Sequence, residues 1–336
     1  MKRLGRQTYV FKSGVYVEAT GTAVGPREGE GPLRESFDYA FSRMDCGEKS
    51  WEQAERTLMQ KAIDTCLEKK SLTPDRVNLL IAGDLSNQTV TSSFVARDLG
   101  IPYLGSYSAC ATSMESVAIA SIFIDGGFTR RVMAAASSHY GAAEKQFRYP
   151  TEFAVQKPDS AQTTVTAAGA ILLHNKKTKI RVCEATIGAV QDLGVGNPLD
   201  LGSAMAPAAA ETTLAHLAET KRSISDYDLV VTGDLARVGS EIFRKLLREK
   251  GIVVTHTYED CGVMIYNTDP SLYAGGSGAG CSSAVVFGHV LQEIQSGRLK
   301  RVLVVATGAL LSPLMIQQKQ SIPAIAHAVT FEAEDA

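Results

Sequence analysis

The chain states one pattern twice, and that repeat restricts the fold more than any other feature. In the first half, Val77-Asn78-Leu79-Leu80-Ile81-Ala82-Gly83-Asp84-Leu85 is followed by Ser108-Ala109-Cys110-Ala111-Thr112-Ser113 and then by Arg131–Ser137. In the second half, Asp228–Leu235 is followed by Ala279-Gly280-Cys281-Ser282-Ser283 and then by Arg301–Thr307. The Gly-Asp-Leu strings lie 150 residues apart and the two cysteines 171 apart. Each series reads as strand, turn, helix, strand. The expectation is an α/β chain made of two copies of one unit, residues 1–180 and 181–336, with its functional site at the seam between them.

Composition narrows the classes. The chain has 336 residues, 45% hydrophobic and 21% charged, as in a globular protein. A formal charge of −2 gives no electrostatic basis for binding nucleic acid. No apolar region follows the basic Met1–Arg6 stretch, and the apolar runs are strand-sized, so neither a signal peptide nor a membrane span is expected. The six cysteines are scattered, without a C-x-x-C pair or zinc-like spacing, so free thiols and no metal site are expected.

The patterning predicts a strand over Gly14–Val24 and an amphipathic helix over Trp51–Lys69. A short helix is expected over Thr91–Leu99, and a helix begun by Cys110 is apolar on every face, as suits one buried between two sheets. Tyr140–Pro158 reads as a long polar, aromatic loop, and Thr163–Leu173 and Ile180–Gln191 as strands closing the first unit. Ala204–Thr220 and Glu241–Lys250 read as helices of the second.

A duplicated unit with Cys at the start of a buried helix resembles the thiolase-like fold, which includes thiolases and β-ketoacyl synthases. That resemblance implies five layers, α-β-α-β-α, and a homodimer. Lys145-Gln146-Phe147-Arg148-Tyr149-Pro150-Thr151-Glu152, Gln156-Lys157-Pro158, Asp260-Cys261-Gly262, Ala274–Gly278 and Val304–Leu311 resemble the stage V sporulation protein AD family of spore formers. The likeness runs from about residue 8 to 331. It implies binding of dipicolinic acid (pyridine-2,6-dicarboxylate) and a part in its uptake into the developing spore. The implied partners are membrane-embedded sporulation transport proteins, and the implied location is intracellular, peripheral at the spore inner membrane.

Cys110 carries the first decision. A thiol at a helix N-terminus is acidified by the dipole and by unpaired N–H groups, and the matching cysteine of condensing enzymes accepts the acyl group. The β-ketoacyl synthase III His-Gln-Ala-Asn and Gly-Asn-Thr motifs are absent, however. Thr232-Gly233-Asp234-Leu235-Ala236-Arg237 and Gly275-Gly276-Ser277-Gly278-Ala279 stand in their places. Acyl transfer lacks its proton acceptor and its oxyanion partner. His256 and His139 are the imidazoles considered for the pocket; His174, His216, His289 and His327 read as structural. Asp84 and Asp234 read as caps or turn residues.

Dipicolinate is flat and carries two carboxylates, so its complement is a cationic pair and an apolar wall. Arg148 is the first choice for a carboxylate and Lys157 the second. The backbone at Cys110, Ala111 and Thr112 offers N–H groups to another anion, and Ser277 and Gly278 complete the expected lining. The reading is a non-catalytic binder that needs no cofactor, with calcium entering only together with dipicolinate. The alternatives are a Cys110-dependent acyl-transfer or condensing enzyme, and a non-binding scaffold for a membrane transport complex.

Overall fold

The structure, a computed structural model, describes residues 2–147, 157–254, 257–266 and 270–334. The repeat is visible as topology. Strands β1 (Tyr16–Val24), β2 (Leu79–Gly83), β3 (Tyr103–Gly105), β4 (Arg131–Ser138) and β5 (Ala167–His174) lie in the order β1-β5-β4-β2-β3. Strands β6 (Ile180–Ile187), β7 (Leu229–Thr232), β8 (Tyr258–Asp260), β9 (Arg301–Ala309) and β10 (Ala324–Ala333) lie in the order β6-β10-β9-β7-β8. The strand senses match position by position: β2 runs parallel to β3 and β4, and β7 to β8 and β9. The other neighbours in each path are antiparallel. The two paths touch where Tyr16 of β1 pairs with Arg181 of β6.

Helices α1 (Trp51–Glu68) and α2 (Val90–Leu99) cover the outer face of the first path. Ser50 caps α1 by accepting the Gln53 N–H at 3.2 Å, and Ala54, Leu58, Ala62, Ile63 and Cys66 make its buried stripe. Between the paths lies α3 (Thr112–Asp125), packed on β2 and β4 from one side and on β9 and β10 from the other. Its apolar all-round sequence follows from that position: Met114, Val117, Ala118 and Ala120 are all fully buried. Each of the larger ones stabilises the fold by about 2 kcal/mol. After the seven-residue α4 (Tyr140–Gln146), α5 (Leu201–Thr220) and α6 (Ala236–Glu249) cover the outer face of the second path.

The second central helix starts as α7 (Ala279–Ala284) and continues through a π turn, Val285–Val290, to Leu291–Gln295. It meets α3 where Ser113 Oγ and Ser282 Oγ stand 2.7 Å apart. One central apolar cluster and one under each outer helical layer give the thiolase-like α-β-α-β-α stack. Among the described residues no helix is long and apolar enough to cross a membrane.

The structure corrects four details. Tyr140–Gln146 is helical, because His139 Nδ1 accepts the Gly141 N–H at 3.1 Å and caps the turn. The strand expected over Thr163–Leu173 is two strands, Gln162–Thr164 and β5, parted where the Val165 N–H turns to Ser277 O. The strand at Ile180 opens the second path rather than closing the first. The cysteines are not equivalent: Cys110 lies two residues before α3, whereas Cys281 is inside α7. Ser277 holds the place before α7 that Cys110 holds before α3.

Candidate functional site

Cys110 sits in the turn that delivers β3 into α3. Ala109 takes a left-handed backbone (φ 48°), and the Ala111 and Thr112 N–H groups close the turn on Ser108 O and Ala109 O. Thr112 Oγ1 reinforces it by donating to Ala109 O at 2.7 Å and accepting the Ser108 N–H at 3.1 Å. Gly308 of β9 lies directly against this turn. A Cβ there would stand 2.2 Å from Ser108 O and 3.0 Å from Ala111 N, so only glycine permits the approach. Two of the three N–H groups expected to hold an anion, those of Ala111 and Thr112, are therefore already used inside the turn.

The thiol is buried among Leu85, Ala109, Ala136 and Ala279, with Phe147 and Leu310 packed against them. Its side chain faces the carboxyl of Asp234, just beyond β7. Asp234 also takes the Thr307 hydroxyl (2.6 Å), the Gly278 N–H (2.9 Å) and the Ser277 side chain. Burial pushes its pKa above the usual carboxylate range, while these bonds pull the other way. Gln162 Nε2 donates to the Asp234 carbonyl at 2.6 Å. Asp234 thus joins the Cys110 turn, the Ser277–Gly278 corner and β9, a larger role than the expected cap or turn. Gly278 is required at its corner: its φ is +116°, and a Cβ would stand 2.6 Å from Ser138 Oγ.

Asp84, at the matching place in the first half, has a different task. It accepts the Ser86 N–H at 2.9 Å and the Ser92 N–H and hydroxyl, each at 2.8 Å, which is the turn role expected of it. The buried Glu55 beside it accepts the Ser137 hydroxyl at 2.8 Å. Burial and the Asp84 charge push Glu55 up to about 8.

Two of the imidazoles of the described residues, His139 and His327, are held by other partners. His139 Nε2 donates to Met44 O at 2.8 Å and its ring stacks on Trp51 at 5.4 Å, and burial lowers its pKa. His327 of β10 stands behind the Cys110 turn, with Nε2 3.1 Å from Ser108 Oγ and Nδ1 accepting the Gly188 N–H at 3.3 Å. Burial pushes it down to about 4. Burial raises the Glu115 carboxyl, and its contact with the Ser108 side chain pulls the other way. This Glu115–Ser108–His327 line escaped the sequence reading, because no spacing connects β10 to the start of α3. His256 and Arg148 lie outside the described residues. Lys157 pairs with the buried Glu144 at 3.1 Å and lies 5.7 Å over the Tyr140 ring.

A cavity of about 930 Å³ opens beside this region, between the Pro26–Glu30 turn, α1 and α4. Tyr140, Gly141, Glu144 and Lys145, from the segment read as a loop, form one wall, and Trp51, Met44 and Tyr266 form others. Cys110, Ser277 and Gly278 do not line it. Among the described residues, Cys183, Glu184 and Glu332 form a cluster of metal-capable atoms, and Arg222 already pairs with both glutamates.

Comparison with known proteins agrees with this frame. Over 95% of this chain and 100% of its own length, 3-oxoacyl-[acyl-carrier-protein] synthase III from Aquifex aeolicus VF5 superposes with a TM-score of 0.59 at 16% identity. Cerulenin-bound OleA of Xanthomonas campestris superposes with a TM-score of 0.62 at 14% identity, over 96% of this chain and 97% of its own. At such identities the likeness shows the fold alone. In sequence, stage V sporulation protein AD of Bacillus subtilis (strain 168) is 52% identical over 332 residues, 99% of this chain and 98% of that protein. The family model of stage V sporulation protein AD matches residues 5–332. The chain therefore belongs to the stage V sporulation protein AD family.

Proposed function

We propose that this sporulation protein binds dipicolinate at the seam around Cys110, takes part in its uptake into the developing spore, and performs no chemistry on it. The observation that carries the non-catalytic reading is that the Cys110 side chain faces the buried carboxyl of Asp234. A condensing enzyme needs a base that takes the thiol proton and a partner that steadies the imidazolium or oxyanion. Here the group on the thiol is a buried carboxyl, whose charge opposes formation of a thiolate. The Ala111 and Thr112 N–H groups beside it are already used within the turn.

The ligand's chemistry fits the remaining surroundings. In this reading Lys157 and Arg148, the latter outside the described residues, are the cations for the two carboxylates, and the Cys110–Thr112 turn with Ser277 and Gly278 is a wall of small groups. Leu85, Ala136, Phe147 and Leu310 give apolar surface for the ring. Lys157 then exchanges Glu144 for the ligand. Calcium enters as the companion of dipicolinate, and no resident cofactor is needed. A second copy of the chain covers the open edge of β3, where Leu104 and Tyr107 are 43% and 49% exposed. Membrane-embedded transport proteins hold the protein at the spore inner membrane.

Isothermal titration with dipicolinate, with and without calcium and with pyridine-2-carboxylate as control, tests this reading. Saturable binding that needs both carboxylates and weakens at least tenfold in Arg148→Ala or Lys157→Ala is expected. Folded protein that takes up none of these ligands sinks the binder and favours the scaffold.

A further inference from the structure

The 930 Å³ cavity has a chemistry the dipicolinate reading does not use. Its rim carries the exposed Arg27, Glu30 and Lys145. Its floor is buried and short of hydrogen-bond donors. Glu28, Glu144 and Thr164 all line it, are 2%, 3% and 1% exposed, and each has a side-chain oxygen without a partner among the described residues. Glu28 uses only Oε1, for the Tyr266 hydroxyl and the Thr166 N–H, and Glu144 uses only Oε1, for Lys157. A buried acceptor left unpaired is costly, typically about 1–3 kcal/mol, so the floor is built to receive donors. It disfavours a dianion for the same reason.

The walls select among donors. Trp51, Tyr140 and Tyr266 present aromatic surface, which attracts a cation over its faces. One ammonium already sits in this corner: Lys157 Nζ is 3.1 Å from Glu144 Oε1 and 5.7 Å from the centre of the Tyr140 ring. Glu144 Oε2 remains for a second. Burial holds the Glu28 carboxyl above its ordinary pKa, a condition that a cation at the floor relieves.

We propose that this cavity binds an organic ammonium ion, its N–H groups on Glu144 and Glu28 and its carbon chain between Trp51, Tyr140 and Tyr266. The site shares the Lys157–Glu144 corner with the one proposed for dipicolinate, but amine binding needs neither Cys110 nor Arg148, so either reading can fail alone. The test is calorimetric titration of the full chain with 1,5-diaminopentane and with spermidine at physiological salt, against calcium chloride and dipicolinate. Saturable amine binding is expected, weakened at least tenfold in Glu144→Gln and in Glu28→Gln and severalfold in Trp51→Ala. Circular dichroism and thermal unfolding establish that each variant is folded. The Glu28→Gln variant leaves the Lys157–Glu144 pair intact and so separates loss of the floor from loss of that pair. Absence of saturable amine binding overturns the proposal. Unchanged amine affinity in both glutamine variants also does so, as does binding of calcium or dipicolinate, but no amine, that those variants abolish.

Discussion

Asp84 and Asp234 stand at the same place in the two copies, each just past the end of a central parallel strand, yet they bind different things. Asp84 gathers donors from Ser86 and Ser92 of its own half. Asp234 gathers Thr307, Gly278, Ser277 and the Cys110 thiol, and so ties both central helix starts together. Duplication copied the frame and the carboxyl. The partner groups decided that one became a turn brace and the other the keeper of a buried thiol.

The largest effect is expected where the Asp234 side of that contrast depends on close backbone approach. Gly308→Ala drives a methyl group into Ser108 O and displaces the Cys110 turn, at a cost of about 3 kcal/mol. Gly196→Ala, where the nearest atom is 4.0 Å from the added carbon, is expected to change thermal stability little. Equal losses in the two variants break the account of the turn.

The Asp84 side is expected to show in pH dependence. Glu55 is held at about 8 in the folded chain against 4.5 for an unperturbed side chain, so folding favours its protonated form. Its contribution is fully present below about pH 4.5 and is lost as pH rises through about 8. Urea unfolding is expected to show Glu55→Gln escaping the loss of stability that wild type suffers over that window. Parallel profiles remove the buried pair from the comparison.

The smallest effect separates the aspartates most sharply. Asp234→Asn removes the charge beside Cys110, and alkylation by iodoacetamide at neutral pH is expected to quicken about tenfold, or roughly 1.4 kcal/mol. Asp84→Asn is expected to leave that rate within about twofold. Similar acceleration in both variants collapses the distinction.

The sequence made the frame readable because apolar periodicity and the repeated Gly-Asp-Leu strings are local signals. It placed α3 between sheets from composition alone, since a helix apolar on all faces needs cover on all sides. It misread Tyr140–Gln146, whose helix is started by a histidine cap rather than by Ser, Thr, Asp or Asn. It paired Cys110 with Cys281 by motif likeness, although the structural counterpart before α7 is Ser277. The Cys110–Asp234 contact was half visible: the sequence showed that His was missing from the strand end. Which group the thiol meets instead depends on contact between halves. The large cavity had no signature, because its lining comes from four separate segments of the first half and from Tyr266.

The most direct test of the central claim, that Cys110 is a wall of a binding site rather than a nucleophile, is intact-protein mass spectrometry after incubation with acetyl-CoA and longer acyl-CoA thioesters. The expected result is unmodified protein at neutral pH. A mass gain of one acyl group that disappears in Cys110→Ser would contradict it and restore the condensing-enzyme reading.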